Sequence, residues 1–153
     1  MAAYSRIVSF GSYLPEKVLT NDDLSKIVDT SDEWIFSRTG MRERHIAADG
    51  ELTGDMAARA AAAALENAGI SAGEMDLIVL ATTTPDLGFP ATACRVQRML
   101  GATNAAAFDI QAVCTGFVYA LSVADKMIRC GEARRALVIG ADKMSSILDW
   151  TDR

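Results

Sequence analysis

The chain has 153 residues, half of them apolar and 23% charged, which suits one globular domain able to bury a core and argues against disorder or low complexity. Fifteen Lys and Arg against 20 Asp and Glu give a net charge of −5 with no basic block to follow a phosphate backbone, so nucleic acid is not an expected partner. No apolar run approaches the ~20 residues of a membrane span and no secretory signal pattern opens the chain, so a cytoplasmic protein off the membrane is expected. Cys94, Cys114 and Cys130 are odd in number and widely spaced, and there is one His; free thiols are expected, with neither a disulfide framework nor a metal site.

In chain order, residues 5–10 read as a strand that ends at Gly11 and turns near Pro15, after which Asn21 can cap a short helix through Ile27. A second helix begins at Ser31, with Asp32 and Glu33 at its positive end and Gly40 closing it. The stretch from Arg38 to His45 is strongly cationic. Residues 53–69 hold the densest helix-forming run, capped at its start and stopped by Gly69. Residues 76–83 are continuously apolar or β-branched, the pattern of a strand buried on both faces of a parallel sheet, and the pattern returns at 105–110 and 136–140. Helices over about 90–100, ended by Gly101, and 114–130, ended by Gly131, separate these strands. The alternation predicts an α/β fold with a mainly parallel sheet and right-handed crossovers.

The helix from Cys114 carries apolar residues around most of its circumference, so only its last turns, near Asp125 and Arg129, need meet water. A cysteine at the start of such a helix, directly after a buried strand, faces unpaired backbone N–H groups and the positive dipole end, which favour thiolate over thiol. Cys114 is therefore a candidate nucleophile, against the alternative of a buried structural thiol. Cys94, in mid-helix, and Cys130, at a helix C-terminus, read as structural.

The segment Asp109-Ile-Gln-Ala-Val-Cys114-Thr-Gly-Phe117 resembles the nucleophile motif of the β-ketoacyl-acyl-carrier-protein synthase III family. Similar stretches occur in the expected order from Thr30 to His45, at Ala81-Thr-Thr-Thr, at Phe89-Pro-Ala-Thr-Ala-Cys94 and at Asp149-Trp-Thr-Asp-Arg153. Thr115 and Val113 depart from the family's commoner choices at those positions. The resemblance implies a thiolase-like fold, five alternating layers αβαβα in the complete enzyme, with residues 1–153 as its N-terminal half. It implies that Cys114 takes an acyl group, typically acetyl, from CoA, and that malonyl-acyl-carrier-protein is then decarboxylated and condensed with it, starting fatty-acid synthesis. Acyl-CoA is a substrate, and no cofactor is expected.

By the same resemblance Trp34 stacks on the CoA adenine with Arg153 on its other face, and Arg38 and Thr30 lie near the nucleotide and its phosphates. The plainer alternatives are a core anchor for Trp34, a solvated charge for Arg38 and a helix cap for Thr30. Phe89 corresponds to a residue that closes the partner's acyl pocket across a homodimer, and Thr83 to another lining that pocket; otherwise Phe89 is a hydrophobic staple and Thr83 strand packing. The family's catalytic His and Asn match nothing here, so a complementary C-terminal segment is expected to supply them, and His45 is not offered as a base. Two other readings stay open: a related acyltransferase of secondary metabolism, and a non-catalytic half that only binds CoA or dimerises.

Overall fold

The computed structural model describes residues 4–152, so Arg153 lies outside the described residues. They divide into two compact units, the larger formed by residues up to Tyr13 together with Leu52–Asp142, the smaller by Leu14–Glu51 and the residues from Lys143 on.

In the larger unit the three predicted buried strands are β3 (Leu77–Ala81), β4 (Ala106–Ile110) and β5 (Ala136–Gly140), all parallel in the order β4-β3-β5. The central strand is buried at every residue, which is why it reads as an uninterrupted apolar run. Its side chains alternate. Ile78 and Leu80 pack with Ala57, Ala61, Leu65, Ala93 and Val96 of α3 (Thr53–Ala68) and α4 (Thr92–Leu100). Leu77, Val79 and Ala81 pack on the other face against Ala120 and Ala124 of α5 (Gly116–Arg129). The result is a three-layer α/β/α sandwich. Small residues at Gly116, Ala120 and Ala124 let α5 lie close to the sheet; a Cβ on Gly116 would come within 3.1 Å of the Ala81 Cβ. Helices α3 and α4 stop at Gly69 and Gly101, whose φ values of 64° and 72° suit glycine best.

Several expectations are corrected. Residues 5–10 belong to no sheet. They are held instead by side chains: the Ser9 hydroxyl donates to the Ala64 carbonyl, Asn67 donates to the Phe10 carbonyl and the Ser5 hydroxyl donates to Asp125. Gly11 lies so close to α3 that a Cβ there would overlap the backbone of Ala60 and Ala64. A cavity of about 530 Å³ separates the segment from the outer edge of β5, so the ladder that would make it a strand is not formed; Ile7, Phe10, Leu121, Leu137 and Ile139 are among its lining residues. Helix α3 starts one residue after Leu52, whose N–H is bonded by the Asp55 carboxylate, while the Thr53 hydroxyl goes to the Thr84 carbonyl.

The smaller unit holds an unanticipated antiparallel pair, β1 (Lys17–Thr20) with β2 (Glu43–Ile46), and the helices α1 (Asn21–Leu24) and α2 (Asp32–Thr39). Thr20, not Asn21, caps α1, because Thr20 and Asp23 satisfy each other's backbone N–H groups in a capping box. Asn21 is buried and used elsewhere: its amide donates to Asp32 and the Met41 carbonyl, and its oxygen accepts from Arg44. Helix α2 is capped by Ser31 and closed by Gly40, as the sequence predicts.

At the bottom of the sheet the entries to β3 and β5 are tied together by Asp76, which precedes β3 and accepts hydrogen bonds from the N–H groups of Arg134 (2.8 Å) and Arg135 (3.0 Å) ahead of β5. These bonds hold its pKa below the ordinary carboxylate value. A depressed pKa stabilises the fold above the unfolded-state value and is lost as pH falls through the folded one. Asp76→Asn should therefore lower stability by about 1 kcal/mol at neutral pH, a modest figure for a half-buried group whose hydrogen bonds lie near solvent. The difference from wild type should close as pH drops below about 4, near the ordinary carboxylate pKa. Chemical denaturation at pH 7 and pH 3 checks this; a gap that widens in acid contradicts it.

Candidate active site

The carboxyl ends of the three parallel strands form one platform, the usual place for a site in an open α/β sheet. Beyond the strands proper, the Thr82 N–H donates to Ile110 O and the Ala141 N–H to Ala81 O, each at 3.1 Å, so pairing continues to the platform edge. Asp142 then gathers the end of β3 through one oxygen, accepting from the Thr83 N–H at 2.7 Å, the Thr83 hydroxyl at 2.9 Å and the Thr82 hydroxyl at 3.3 Å. Asp109 of β4 accepts from the N–H groups of Thr92 and Ala93, both at 2.7 Å, and so caps α4, which has no side-chain cap of its own. Sequence reasoning missed both carboxylates; the signal was an Asp at or just past the end of each apolar run.

Cys114 lies four residues past the end of β4, on this platform. It is not the first residue of the helix as expected: it sits in a 3₁₀ turn, Val113–Thr115, that leads into α5 at Gly116. The turn is secured by the Thr115 N–H and hydroxyl, both donating to the Ala112 carbonyl. Val113 is the described non-glycine residue with positive φ, at 47°, an uncommon conformation for a β-branched side chain. Cys114, at the middle of this turn, is exposed. Cys94 is half-buried, its thiol directed to the Ala107 carbonyl at 3.5 Å, and Cys130 is exposed at the far end of α5.

The first turns of α5 are also more open than its composition implies. Gly116, Ala120 and Ala124 are buried against the sheet, whereas Phe117, Val118 and Tyr119 are exposed. Only one face of this helix finds partners among the described residues, although apolar residues run around it. Thr83 stands on the platform with its hydroxyl committed to Asp142. Phe89 is 87% exposed, so it is no staple for α4.

In the smaller unit, Trp34 is 37% exposed on α2, so part of its ring faces solvent. The Arg38 guanidinium lies 4.3 Å from its ring centroid and also donates to the Trp34 carbonyl, so Arg38 is a stacked group and not simply a solvated charge. Thr30 is not the cap of α2, since Ser31 is; its hydroxyl oxygen is buried and has no hydrogen-bond partner. The rest of the cationic stretch is structural: Arg42 pairs with Asp32 and stacks on Phe36, Arg44 bonds Asn21 and the Leu19 carbonyl, and His45 meets the Pro15 carbonyl.

Comparison with known proteins gives this arrangement a relationship. The sequence model of 3-oxoacyl-[acyl-carrier-protein (ACP)] synthase III matches residues 108–153, the stretch that contains Cys114. The chain is 65% identical over 150 residues to the β-ketoacyl-[acyl-carrier-protein] synthase III of Xanthomonas oryzae, covering 98% of this chain and 46% of that protein. Over nearly its whole length the chain is similar to members of the synthase III family. It spans about half the length of the curated relatives it matches. Its fold superposes on the crystal structure of the 3-oxoacyl-[acyl-carrier-protein] synthase III of Aquifex aeolicus with a TM-score of 0.93 at 55% identity, over 97% of this chain and 48% of that one. A priming β-ketosynthase from the R1128 polyketide biosynthetic pathway fits as well, with a TM-score of 0.94 at 37% identity over 98% and 45% of the two chains. The thiolase-like α/β fold expected from the sequence is therefore present, in an extent that corresponds to about half of the family's structure.

The strained turn gives a stability prediction. Relieving a left-handed β-branched residue is worth about 1–2 kcal/mol, and a glycine's extra freedom in the unfolded chain offsets about 0.5–1 kcal/mol. Val113→Gly should thus leave stability unchanged or raise it by up to about 1.5 kcal/mol, as read by thermal melting. A loss of several degrees would show that the Val113 side chain, 63% exposed, carries packing the turn depends on.

Proposed function

We propose that this chain carries the nucleophile and the CoA-binding groups of an initiating condensing enzyme of fatty-acid synthesis. The observation that carries the reading is Cys114, exposed on the platform at the strand ends, within the segment that matches the family. The Cys114 thiolate attacks the thioester carbonyl of an acyl-CoA, typically acetyl-CoA; a carbon–sulfur bond forms and the CoA thiolate leaves. Malonyl-acyl-carrier-protein then loses carbon dioxide, its carbanion attacks the acyl carbonyl, and the Cys114 thiolate departs as the β-ketoacyl-acyl-carrier-protein forms. Backbone N–H groups at the start of α5 are suited to hold the transient oxyanion. Splitting the reaction through a covalent intermediate gives ping-pong kinetics.

Trp34, with Arg38 stacked on it, offers an exposed ring for the CoA base, and the orphaned Thr30 hydroxyl is a hydrogen-bonding group for the same ligand. Arg153 is assigned to the second face of the base on the resemblance alone. Phe89 and Thr83 are assigned to the acyl pocket, Phe89 reaching a second copy in a homodimer; its exposure supports that role. A complementary segment supplies the His and Asn that hold the enolate and thioester charges. Support for it comes from the unfilled groove beside β5, the exposed face of Phe117, Val118 and Tyr119, and the length of the relatives. The working location is the cytoplasm; among the described residues no helix is long and apolar enough to cross a membrane.

The likeness to a polyketide priming synthase favours one second reading, the loading of a starter unit other than acetyl in secondary metabolism by the same Cys114 chemistry. Comparing kcat/KM for acetyl-CoA and longer acyl-CoAs, with malonyl-acyl-carrier-protein as acceptor, separates the two.

In the full-length protein, Cys114→Ser should abolish condensation while CoA binding stays near wild type, because only the covalent step is removed. Condensation that survives the substitution would refute the assignment. Trp34→Ala should weaken acyl-CoA binding by about 1–3 kcal/mol, the range for a base stacked on an aromatic ring. Calorimetry finding unchanged affinity in a folded variant would rule the stacking out.

A further inference from the structure

The loop between β3 and α4 displays Leu87 and Phe89 to solvent, yet it is anchored from below by a carboxylate that the reaction does not use. The Asp86 side chain is only 4% exposed. Burying a carboxylate is costly unless it is fully bonded, and this one is. One oxygen accepts from the Gly54 N–H in the first turn of α3 at 2.9 Å, and the other from Arg95 of α4 at 2.5 Å. The second arm of Arg95 reaches Asp55 at 2.6 Å, and the Asp86 N–H donates to the buried Thr92 hydroxyl at 3.0 Å. A Cβ on Gly54 would overlap the Asp86 carboxylate, so the close approach depends on a glycine at that position. Upstream, the Thr84 carbonyl is held by Thr53; downstream, α4 is capped by Asp109.

A buried ion pair is a weak source of stability compared with well-packed apolar residues, but its directional bonds fix geometry. Here they fix a point three residues before Phe89, tied to two helices at once. We propose that Asp86, through its bonds to Gly54 and Arg95, is a positioning residue that holds the Phe89 loop rigid and thereby sets the length of acyl chain the enzyme accepts. This rests on the reading of Phe89 as an acyl-pocket residue given above. Asp86 touches neither the substrate nor the reacting atoms and acts only through the loop.

The test measures kcat/KM for acetyl-, butyryl- and hexanoyl-CoA in the full-length protein and its variants. Phe89→Ala should raise the hexanoyl-to-acetyl ratio by about 10-fold or more, the order that pocket methylenes command. Asp86→Ala should move the ratio in the same direction, and the double variant should move it no further than Phe89→Ala alone, since both changes act on one wall. Asp86→Asn keeps the shape and the Gly54 bond while losing the charge opposed to Arg95; it should shift the ratio less, and it serves if Asp86→Ala does not fold. A merely structural role would lower all three substrates together and leave the ratio where it was. Wild-type ratios in folded Asp86 variants, with Phe89→Ala shifted, would overturn the positioning role; additive shifts in the double variant would overturn action through Phe89. A wild-type ratio in Phe89→Ala would instead overturn the pocket reading.

Discussion

The pairing of β3 with β4 on one side and β5 on the other, all three parallel, is the constraint from which the rest follows. Parallel strands need crossover helices, so α4 and α5 must leave from the carboxyl ends of β3 and β4, and both crossovers start on the same edge of the sheet. Thr82, Thr83, Asp109, Cys114 and Asp142 all lie at or just past these strand ends. Each carboxylate there fixes a chain end that would otherwise fray: Asp142 the end of β3, Asp109 the start of α4, and Asp86 the loop between them. Cys114 is presented by a stiff frame, and the tight turn at Val113 is tolerated because the frame on both sides of it is over-determined.

The same constraint explains what the chain leaves open. A sheet of three parallel strands has two edges, and β5 faces a groove across which the segment from residue 5 to Gly11 runs without pairing. Helix α5 has its small residues toward the sheet and Phe117, Val118 and Tyr119 away from it. Contiguous apolar surface of this kind, beside an unpaired strand edge, is a costly exposure for an isolated chain. The curated relatives are about twice this length.

Legibility in the sequence followed the physics of each element. Strand β3 was readable because burial on both faces demands an unbroken apolar run, β4 and β5, which are buried only in part, because a similar apolar stretch recurs after each helix, and α2, α3 and α4 because glycine punctuates them. The strand expected at residues 5–10 failed since residue types that favour a pleated surface do not say which strand a segment will pair with. Asn21 was misread because Thr20 with Asp23 makes a capping box one residue earlier, and nothing local reveals that Asn21 is needed to bond Met41 and Asp32. Cys114 was found by its place after a buried strand. The 3₁₀ turn beneath it was not, since nothing in the residue types signals a positive φ at a valine. Asp86, Asp109 and Asp142 escaped because their partners are many residues away in sequence and close only once the sheet has formed.

The central claim, that this platform exists to present Cys114 to an acyl thioester, is tested most directly by residue-resolved alkylation. The full-length protein is treated with a small thiol reagent, with and without prior incubation with acetyl-CoA, and each cysteine is quantified by mass spectrometry. Cys114 should be alkylated faster than Cys94 and Cys130, and acetyl-CoA should block it selectively by occupying the thiol as an acetyl ester. Acetyl-CoA protection of Cys94 or Cys130 with Cys114 still freely alkylated would contradict the account.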